Sequence, residues 1–278
     1  MRRTLPISLL ATALLLAGCR AEEPDRPVPS TSDDRSVGHI HGLGVDPADG
    51  TLYVATHHGL FHVDRSGEPR RVADRWQDTM AFTVAGPGRF LASGHPDLRE
   101  DLPPHLGLIE STDAGETWQP LALQGEADFH ILEQVGDDLY AYDATSGRLL
   151  VTQDQKSFTE VAQLPLLSIT ADPEDSNSLI GTTNQGQLIE IDATTGATAE
   201  RPGPPLVLFE TTSEGDVVGI DPAGTIQVSD DSGETWTRHG SIGGQPAAFS
   251  ITGTEWYAAT QDQVIRSVDD GDTWTKVL

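Results

Sequence analysis

Cysteine is almost absent. Cys19 is the only one in 278 residues, so no intramolecular disulfide can form and no Cys/His catalytic pair is available. Positive charge is scarce too: 17 Lys+Arg face 43 Asp+Glu, a formal net charge of -26. Such a surface repels nucleic acid, anionic lipid and acidic substrates, and favours cations or neutral ligands. It also suits solubility in a salty or extracellular setting. There are only four tyrosines, Tyr53, Tyr140, Tyr142 and Tyr257, and each falls inside a strand-like segment where packing explains it. Phosphate-loop and nucleophile-elbow motifs are missing. No stretch beyond residue 37 sustains a helical period, which argues against an α or α/β fold.

The N-terminus carries the one long apolar segment. Arg2 and Arg3 precede a mainly apolar run from Leu5 to Ala17, too short for a comfortable membrane span and typical of a secretory signal. It ends in Leu16-Ala17-Gly18-Cys19, which resembles a bacterial lipobox. That resemblance implies cleavage after residue 18 and acylation of Cys19, placing the protein on the extracytoplasmic face of a membrane, at the cell surface or in the periplasm. Residues 20–36 are rich in proline and charge with no apolar face, a tether between membrane and domain. The expected organisation is signal peptide 1–18, lipidated Cys and linker 19–36, and a folded domain 37–278.

Within that domain one motif recurs. Ser-x-Asp-x-Gly-x-Thr-Trp occurs at Ser111–Trp118, Ser229–Trp236 and Ser267–Trp274. It suits a tight hairpin: Ser and Asp side chains bond nearby backbone N–H groups, Gly supplies a positive φ, and Trp anchors the returning strand. Weaker versions surround Asp64, Asp154 and Asp192. The six aspartates at 64, 113, 154, 192, 231 and 269 stand 49, 41, 38, 39 and 38 residues apart. Short apolar strands such as Leu52–Thr56, Leu179–Thr183 and Trp256–Thr260 precede the turns at the same period. Four strands in about 40 residues, repeated six times, predict an all-β, six-bladed β-propeller. The ring is expected to close, by the last strand pairing with residues near Val37 or otherwise, because an open propeller would leave strand edges exposed.

The repeated motif resembles the Asp-box (BNR) repeat of sialidases, sortilin-type receptors and the propeller-shaped photosystem II assembly factors. Gly38–Gly42, Ala55–Leu60, Ser93–Pro96 and Gly125–His130 are similar, more closely, to bacterial lipoproteins with glycosyl hydrolase or exo-alpha-sialidase-like names. This implies an Asp-box propeller, with a glycosidase as one candidate activity. The sialidase pattern is incomplete, however. The early Arg-Ile/Leu-Pro motif is missing, and Arg70, Arg71 and Arg75 are grouped after the first turn instead of spread over inner strands. A neutral-glycan hydrolase needs paired carboxylates, for which Asp78, Glu126, Asp128 and Glu133 are candidates.

Histidine is unevenly placed. Eight of the nine (His39, His41, His57, His58, His62, His95, His105 and His130) lie between 39 and 130. Propeller topology puts the start of each inner strand and the loop between second and third strands on one face, opposite the repeated turns. His39 and His41 are two apart on a predicted inner strand, and Asp128 and His130 repeat that spacing in the third blade. His57 and His95 end equivalent second strands, and Asp78 opens the second blade. His39, His41, His57, His95 and His130 therefore form a candidate metal site for zinc, copper or iron, with Asp78, Asp128 and, beside His95, Asp97 as ligand-binding candidates. The insert Asp97–His105, which lengthens the first spacing to 49, is expected to form a lid. His62 and His105 are expected outside the site, and His239 alone on the surface.

Three functions follow as expectations. The first is a monomeric envelope lipoprotein, anchored through Cys19, that binds a small-molecule, glycan or protein ligand and no nucleic acid, through a zinc or copper ion. The second is a sialidase-like glycoside hydrolase or a metal-dependent hydrolase or lyase. The third is an assembly scaffold for envelope proteins.

Overall fold

The structure is a computed structural model that describes residues 37–64, 67–261 and 263–278. The expected signal peptide (1–18) and the expected lipidated Cys19 and linker (19–36) lie outside the described residues. Blade 1 comprises β1 (Ile40–Val45), β2 (Leu52–Thr56), β3 (Gly59–Val63) and β4 (Pro69–Arg71). Blade 2 comprises β5 (Asp78–Gly86), β6 (Arg89–His95), β7 (Leu108–Ser111) and β8 (Gln119–Ala122). Blade 3 is β9 (Phe129–Val135), β10 (Asp138–Asp143), β11 (Arg148–Thr152) and β12 (Thr159–Gln163); blade 4 is β13 (Leu166–Ala171), β14 (Ser178–Thr183), β15 (Leu188–Asp192) and β16 (Thr198–Glu200). Blade 5 is β17 (Leu208–Thr211), β18 (Val217–Ile220), β19 (Thr225–Ser229) and β20 (Thr237–Ser241); blade 6 is β21 (Pro246–Thr252), β22 (Glu255–Thr260), β23 (Val264–Ser267) and β24 (Thr275–Lys276). Every blade is a four-stranded antiparallel sheet in sequence order, and the architecture is the six-bladed β-propeller that the spacing predicts.

The sequence explains which strand lies where. Second strands are short, apolar and β-branched or small, and they are buried along nearly their whole length, as in LYVAT of β2 and VVGI of β18. Both of their faces meet neighbouring blades, so they read as continuous apolar runs. Outer strands are polar and exposed, as in TAE of β16 and TRHGS of β20. Alternation then sorts each second strand between two interfaces. Leu52 and Val54 pack towards blade 6, whereas Tyr53 and Ala55 pack towards blade 2. Each of the six neighbouring blade pairs has its own buried hydrophobic cluster.

Among the described residues, blades 6 and 1 meet through side-chain packing. All four strands of blade 6 come from one continuous segment, so no strand from residues near Val37 completes it. Ile40, Val54 and Phe61 of blade 1 pack instead on Tyr257, Ala259 and Val264 of blade 6, with Val37, Val277 and Leu278 against the same cluster. The Val264 N–H donates to the Leu278 carbonyl at 3.0 Å, and the Leu278 N–H returns to the Val264 carbonyl at 3.1 Å.

The repeated turns lie between third and fourth strands. In blade 5, the Gly233 N–H donates to Ser229 Oγ at 2.7 Å, and Asp231 accepts the Thr235 N–H at 2.7 Å and the Thr235 hydroxyl at 2.6 Å. The turns of blades 2 and 6 repeat these bonds. The residue after the Asp is left-handed in all three, at Ala114 (φ 58°), Ser232 (φ 53°) and Asp270 (φ 54°). Blade 3 keeps the geometry with Thr152 in place of Ser: Gln155 is left-handed (φ 58°), and its N–H donates to Thr152 Oγ1 at 2.9 Å.

The turns also join blades. Trp118, Trp236 and Trp274 pack into the clusters between blades 1 and 2, 4 and 5, and 5 and 6. The Ala114 N–H donates to the carbonyl of Gly88, in the turn between β5 and β6, at 2.9 Å. That contact fixes the repeated turns on the face opposite the loop between β6 and β7.

Candidate metal centre

The face away from the repeated turns carries the clustered histidines, and a recurring backbone irregularity aims two of them. Inner strands β1 and β9 each contain a register shift in their pairing with the second strand. Ile40 pairs Thr56 and Gly42 pairs Ala55, which leaves His41 unmatched; Phe129 pairs Asp143 and Ile131 pairs Tyr142, which leaves His130 unmatched. β5, β13 and β21 shift at the same place, at Met80, Leu167 and Ala247. A bulge bends its strand and re-aims the extra side chain. Blades 1 and 3 put His there, and both line the central channel. The i, i+2 spacing of His39 and His41 therefore works through a bulge, not through plain strand alternation.

Gly94 makes the neighbouring approach. Its φ is +142°, and a Cβ there would lie 2.0 Å from the Asp78 carbonyl oxygen. Only glycine lets β6 run this close to β5, where Asp78 and His95 are register partners.

Two groups of side chains result. In the first, the ligand atoms of His39, His41 and His57 all lie within 4.8 Å of one another. The rings of His41 and His57 are 4.3 Å apart at 85°, and those of His39 and His41 are 4.8 Å apart. His57 Nδ1 donates to Asp78 Oδ1 at 2.8 Å. A carboxylate can only accept, so the proton stays on Nδ1 and the lone pair is on Nε2, the arrangement of a metal-binding histidine held by a carboxylate. His41 Nε2 is buried without a hydrogen-bond partner, 3.7 Å from Asp78 Oδ1. Burial, with the His57 ring next to it, lowers the His41 pKa to about 4 against the pull of Asp78, so this imidazole is neutral at physiological pH.

The second group is His95, His105 and Asp128, again within 4.8 Å. His95 Nδ1 donates to the Pro104 carbonyl at 2.8 Å, which leaves Nε2 free, 3.9 Å from Asp128 Oδ1. His105 Nδ1 is 3.8 Å from Asp128 Oδ2. Both His105 Nδ1 and Asp128 Oδ1 are buried without a hydrogen-bond partner. His130 Nε2 bonds Asp128 Oδ2 at 3.3 Å. That bond, helped by His95 and His105, holds the Asp128 carboxyl below its ordinary range despite burial.

The sequence-predicted residues are thus split between two places. His39, His41 and His57 meet beside Asp78; His95 and His130 meet at Asp128. His105, expected outside, is brought in by the loop between β6 and β7: Leu106 is buried, and its N–H donates to the Gly94 carbonyl at 2.9 Å, turning His105 inward. An apolar residue directly after Pro103-Pro104-His105 was the one sequence signal for it. Asp97 is not in either group. It accepts the Trp76 N–H at 2.9 Å and the Arg99 N–H and side chain, and the Arg99 bonds outweigh burial to bring its pKa to about 2. Asp97 therefore pins the insert, which Arg75 also ties through Glu100 at 3.0 Å. His62 sits beside Tyr53, and His239 lies near Asp272 on another blade, both away from the groups.

Below the groups runs a channel of about 670 Å³ bounded by inner strands, with His41 and His130 in its wall. Among the described residues no arginine, lysine or tyrosine lines it. Deeper in the wall, removal from solvent raises the carboxyl pKa of Glu133 to about 8, and burial with repulsion from Glu133 raises that of Glu210. Thr170 Oγ1 donates to Glu133 Oε1 at 3.4 Å.

No known protein family and no curated protein matches the sequence. Solved structures do match in shape. A virginiamycin B lyase from Staphylococcus aureus is 15% identical over 87% of this chain and 84% of its own, with a TM-score of 0.57. A gluconolactonase from Xanthomonas campestris is 12% identical over 81% of this chain and 84% of its own, TM-score 0.61. YCF48 bound to a D1 peptide is 16% identical over 87% and 82%, TM-score 0.55. At these identities the likeness establishes what the strand order also gives: this chain folds as a β-propeller.

Proposed function

We infer that this protein is an exported lipoprotein, anchored through Cys19, whose propeller holds a zinc- or copper-type ion at His39, His41 and His57 and presents it to a ligand at the channel mouth. The observation that carries this reading is His41 Nε2: a neutral, buried imidazole nitrogen with no hydrogen-bond partner, facing two further imidazoles. An unpaired buried donor or acceptor costs about 1–3 kcal/mol, and a metal ion removes that cost. Three histidine ligands leave a tetrahedral ion one open position. The acidic surface attracts the cation and disfavours anionic ligands.

The open position also supports a second reading, a hydrolase or lyase in which the ion activates water. Sialidase chemistry has less behind it, since neither arginine nor tyrosine lines the channel among the described residues.

The test is elemental analysis and zinc titration of the mature protein purified without a histidine tag. The reading expects a bound transition metal, or uptake by the apo-protein, lost in His41→Ala and His57→Ala. Wild-type protein that neither contains nor takes up zinc or copper would overturn it. Hydrolysis assays on lactones and neutral glycosides, with and without chelator, then separate a binding protein from an enzyme.

A further inference from the structure

The geometry points to a second, separate metal site on the same face, formed by His95, His105 and Asp128, so that the protein binds two divalent ions of the zinc class side by side. This goes beyond the site at His39, His41 and His57 and uses none of its ligands. Three observations carry it. One ligand atom from each of the three residues lies within 4.8 Å of the others, so side-chain shifts of about 1 Å bring them to the roughly 3.4 Å spacing of ligands around a tetrahedral zinc. In two of these residues a polar atom, His105 Nδ1 and Asp128 Oδ1, is buried without a hydrogen-bond partner, its opposite group standing 3.8 and 3.9 Å away, and Asp128 is 8% exposed. The third, His95, has its proton held on Nδ1 by the Pro104 carbonyl at 2.8 Å, so its Nε2 lone pair faces Asp128.

Two imidazoles and a carboxylate form the three-ligand set of an open zinc or iron(II) site. His130 donates to the other oxygen of Asp128 and orients it, as an outer hydrogen-bond partner does. The backbone of Asp128 is fixed independently: its N–H donates to Asp143 Oδ1 at 3.2 Å, and its carbonyl accepts the Ala144 N–H at 3.0 Å. The two sites are neighbours because Asp78, which holds His57, and His95 are register partners across β5 and β6.

The sites differ in what they rest on. The first is built on blade 1 and the first residue of β5. The second takes His105 from the loop between β6 and β7, whose middle carries exposed Leu98 and Leu102. A metal here therefore clamps that loop to the rim of blade 3, and occupancy of the second site becomes readable as protection of residues 96–107.

The experiment is zinc and cobalt titration of tag-free apo-protein by calorimetry and by cobalt absorption, with hydrogen exchange on the same samples. Wild type is expected to take up two ions. His105→Ala and Asp128→Asn are expected to take up one each, with at least 100-fold weaker binding of the other, and His41→Ala to retain the ion that these two lose. Zinc should slow exchange in residues 96–107 of wild type and of His41→Ala, but not of Asp128→Asn, which keeps the backbone bonds of position 128. One ion in wild type, lost with His41→Ala and unaffected by His105→Ala and Asp128→Asn, overturns the second site and leaves the first standing. One ion lost in all three variants also overturns it, showing a single shared centre. Two ions with no protection of 96–107 overturn the assignment of His105.

Discussion

The proton positions at this face are set by acceptors that have no proton to give. Asp78 and the Pro104 carbonyl each hold an Nδ1–H, of His57 and His95 respectively, so both rings offer Nε2 to the interior. Removing the charge of Asp78 while keeping its shape should therefore weaken zinc binding at the first site 10- to 100-fold. Competition with a chelator would measure this for Asp78→Asn, and Asp78→Glu should recover part of the loss; equal affinity in wild type and Asp78→Asn would remove Asp78 from its orienting role. His41 gives a pH signature. Its pKa falls from 6.5 to about 4 on folding, so between those values the unfolded chain binds a proton that the native protein does not. Stability of the apo-protein must then fall as pH drops from 6.5 towards 4, by at most about 3 kcal/mol from this residue. Urea unfolding at pH 7 and pH 4.5 should show a smaller pH-dependent loss in His41→Ala than in wild type; equal losses would mean that His41 is protonated alike in both states.

Elements of this propeller are coupled through their turns. Gly115 of the blade 2 turn has φ +90°, and a Cβ there would lie 2.5 Å from Leu60 Cδ2 of blade 1. Gly115→Ala combines a disfavoured backbone with overpacking between two blades, and should cost about 2 kcal/mol. Chemical denaturation would measure it, and a loss below about 0.5 kcal/mol would show that the turn yields. The repeated turn was fully legible in the sequence, because Ser, Asp, Gly and Thr satisfy one another within seven residues. Its packing partner was not, because Leu60 is 55 positions away and belongs to another blade. The bulges were equally hidden. Nothing in Gly38-His-Ile-His-Gly42 marks His41 as the extra residue; only its pairing against Thr56 and Ala55 does.

At the scale of the whole molecule, the inner strands of all blades enclose one channel, with two glutamates in its lining. Glu133 on blade 3 and Glu210 on blade 5 both line it, and burial together with repulsion from Glu133 raises the cost of charging Glu210. Glu133 keeps its proton in the native state up to about pH 8, whereas an unfolded glutamate loses it near 4.5. The native state therefore binds more protons across that window, and the contribution of Glu133 to stability, full below pH 4.5, disappears as pH rises through 8. Glu133→Gln should accordingly gain stability relative to wild type between pH 5 and pH 8, most at the alkaline end. Thermal midpoints measured at both pH values test it, and an unchanged difference would mean that the pair is fully hydrated.

What the sequence determined by itself was whatever repeats or alternates locally. The period near 40 residues gave six blades, alternation gave the buried second strands, and the crowding of histidines between 39 and 130 gave the face. Those features are legible because each depends on residues close together in the chain. The tertiary structure alone decided how the ring closes, since packing between Val54 and Tyr257 leaves no local mark. It also decided that the histidines divide into two groups, that His105 joins one of them while Asp97 pins the insert, and that Glu133 and Glu210 share a channel. Each of these is a meeting of residues from different blades or loops, and their separation in space is fixed only when the whole ring is packed.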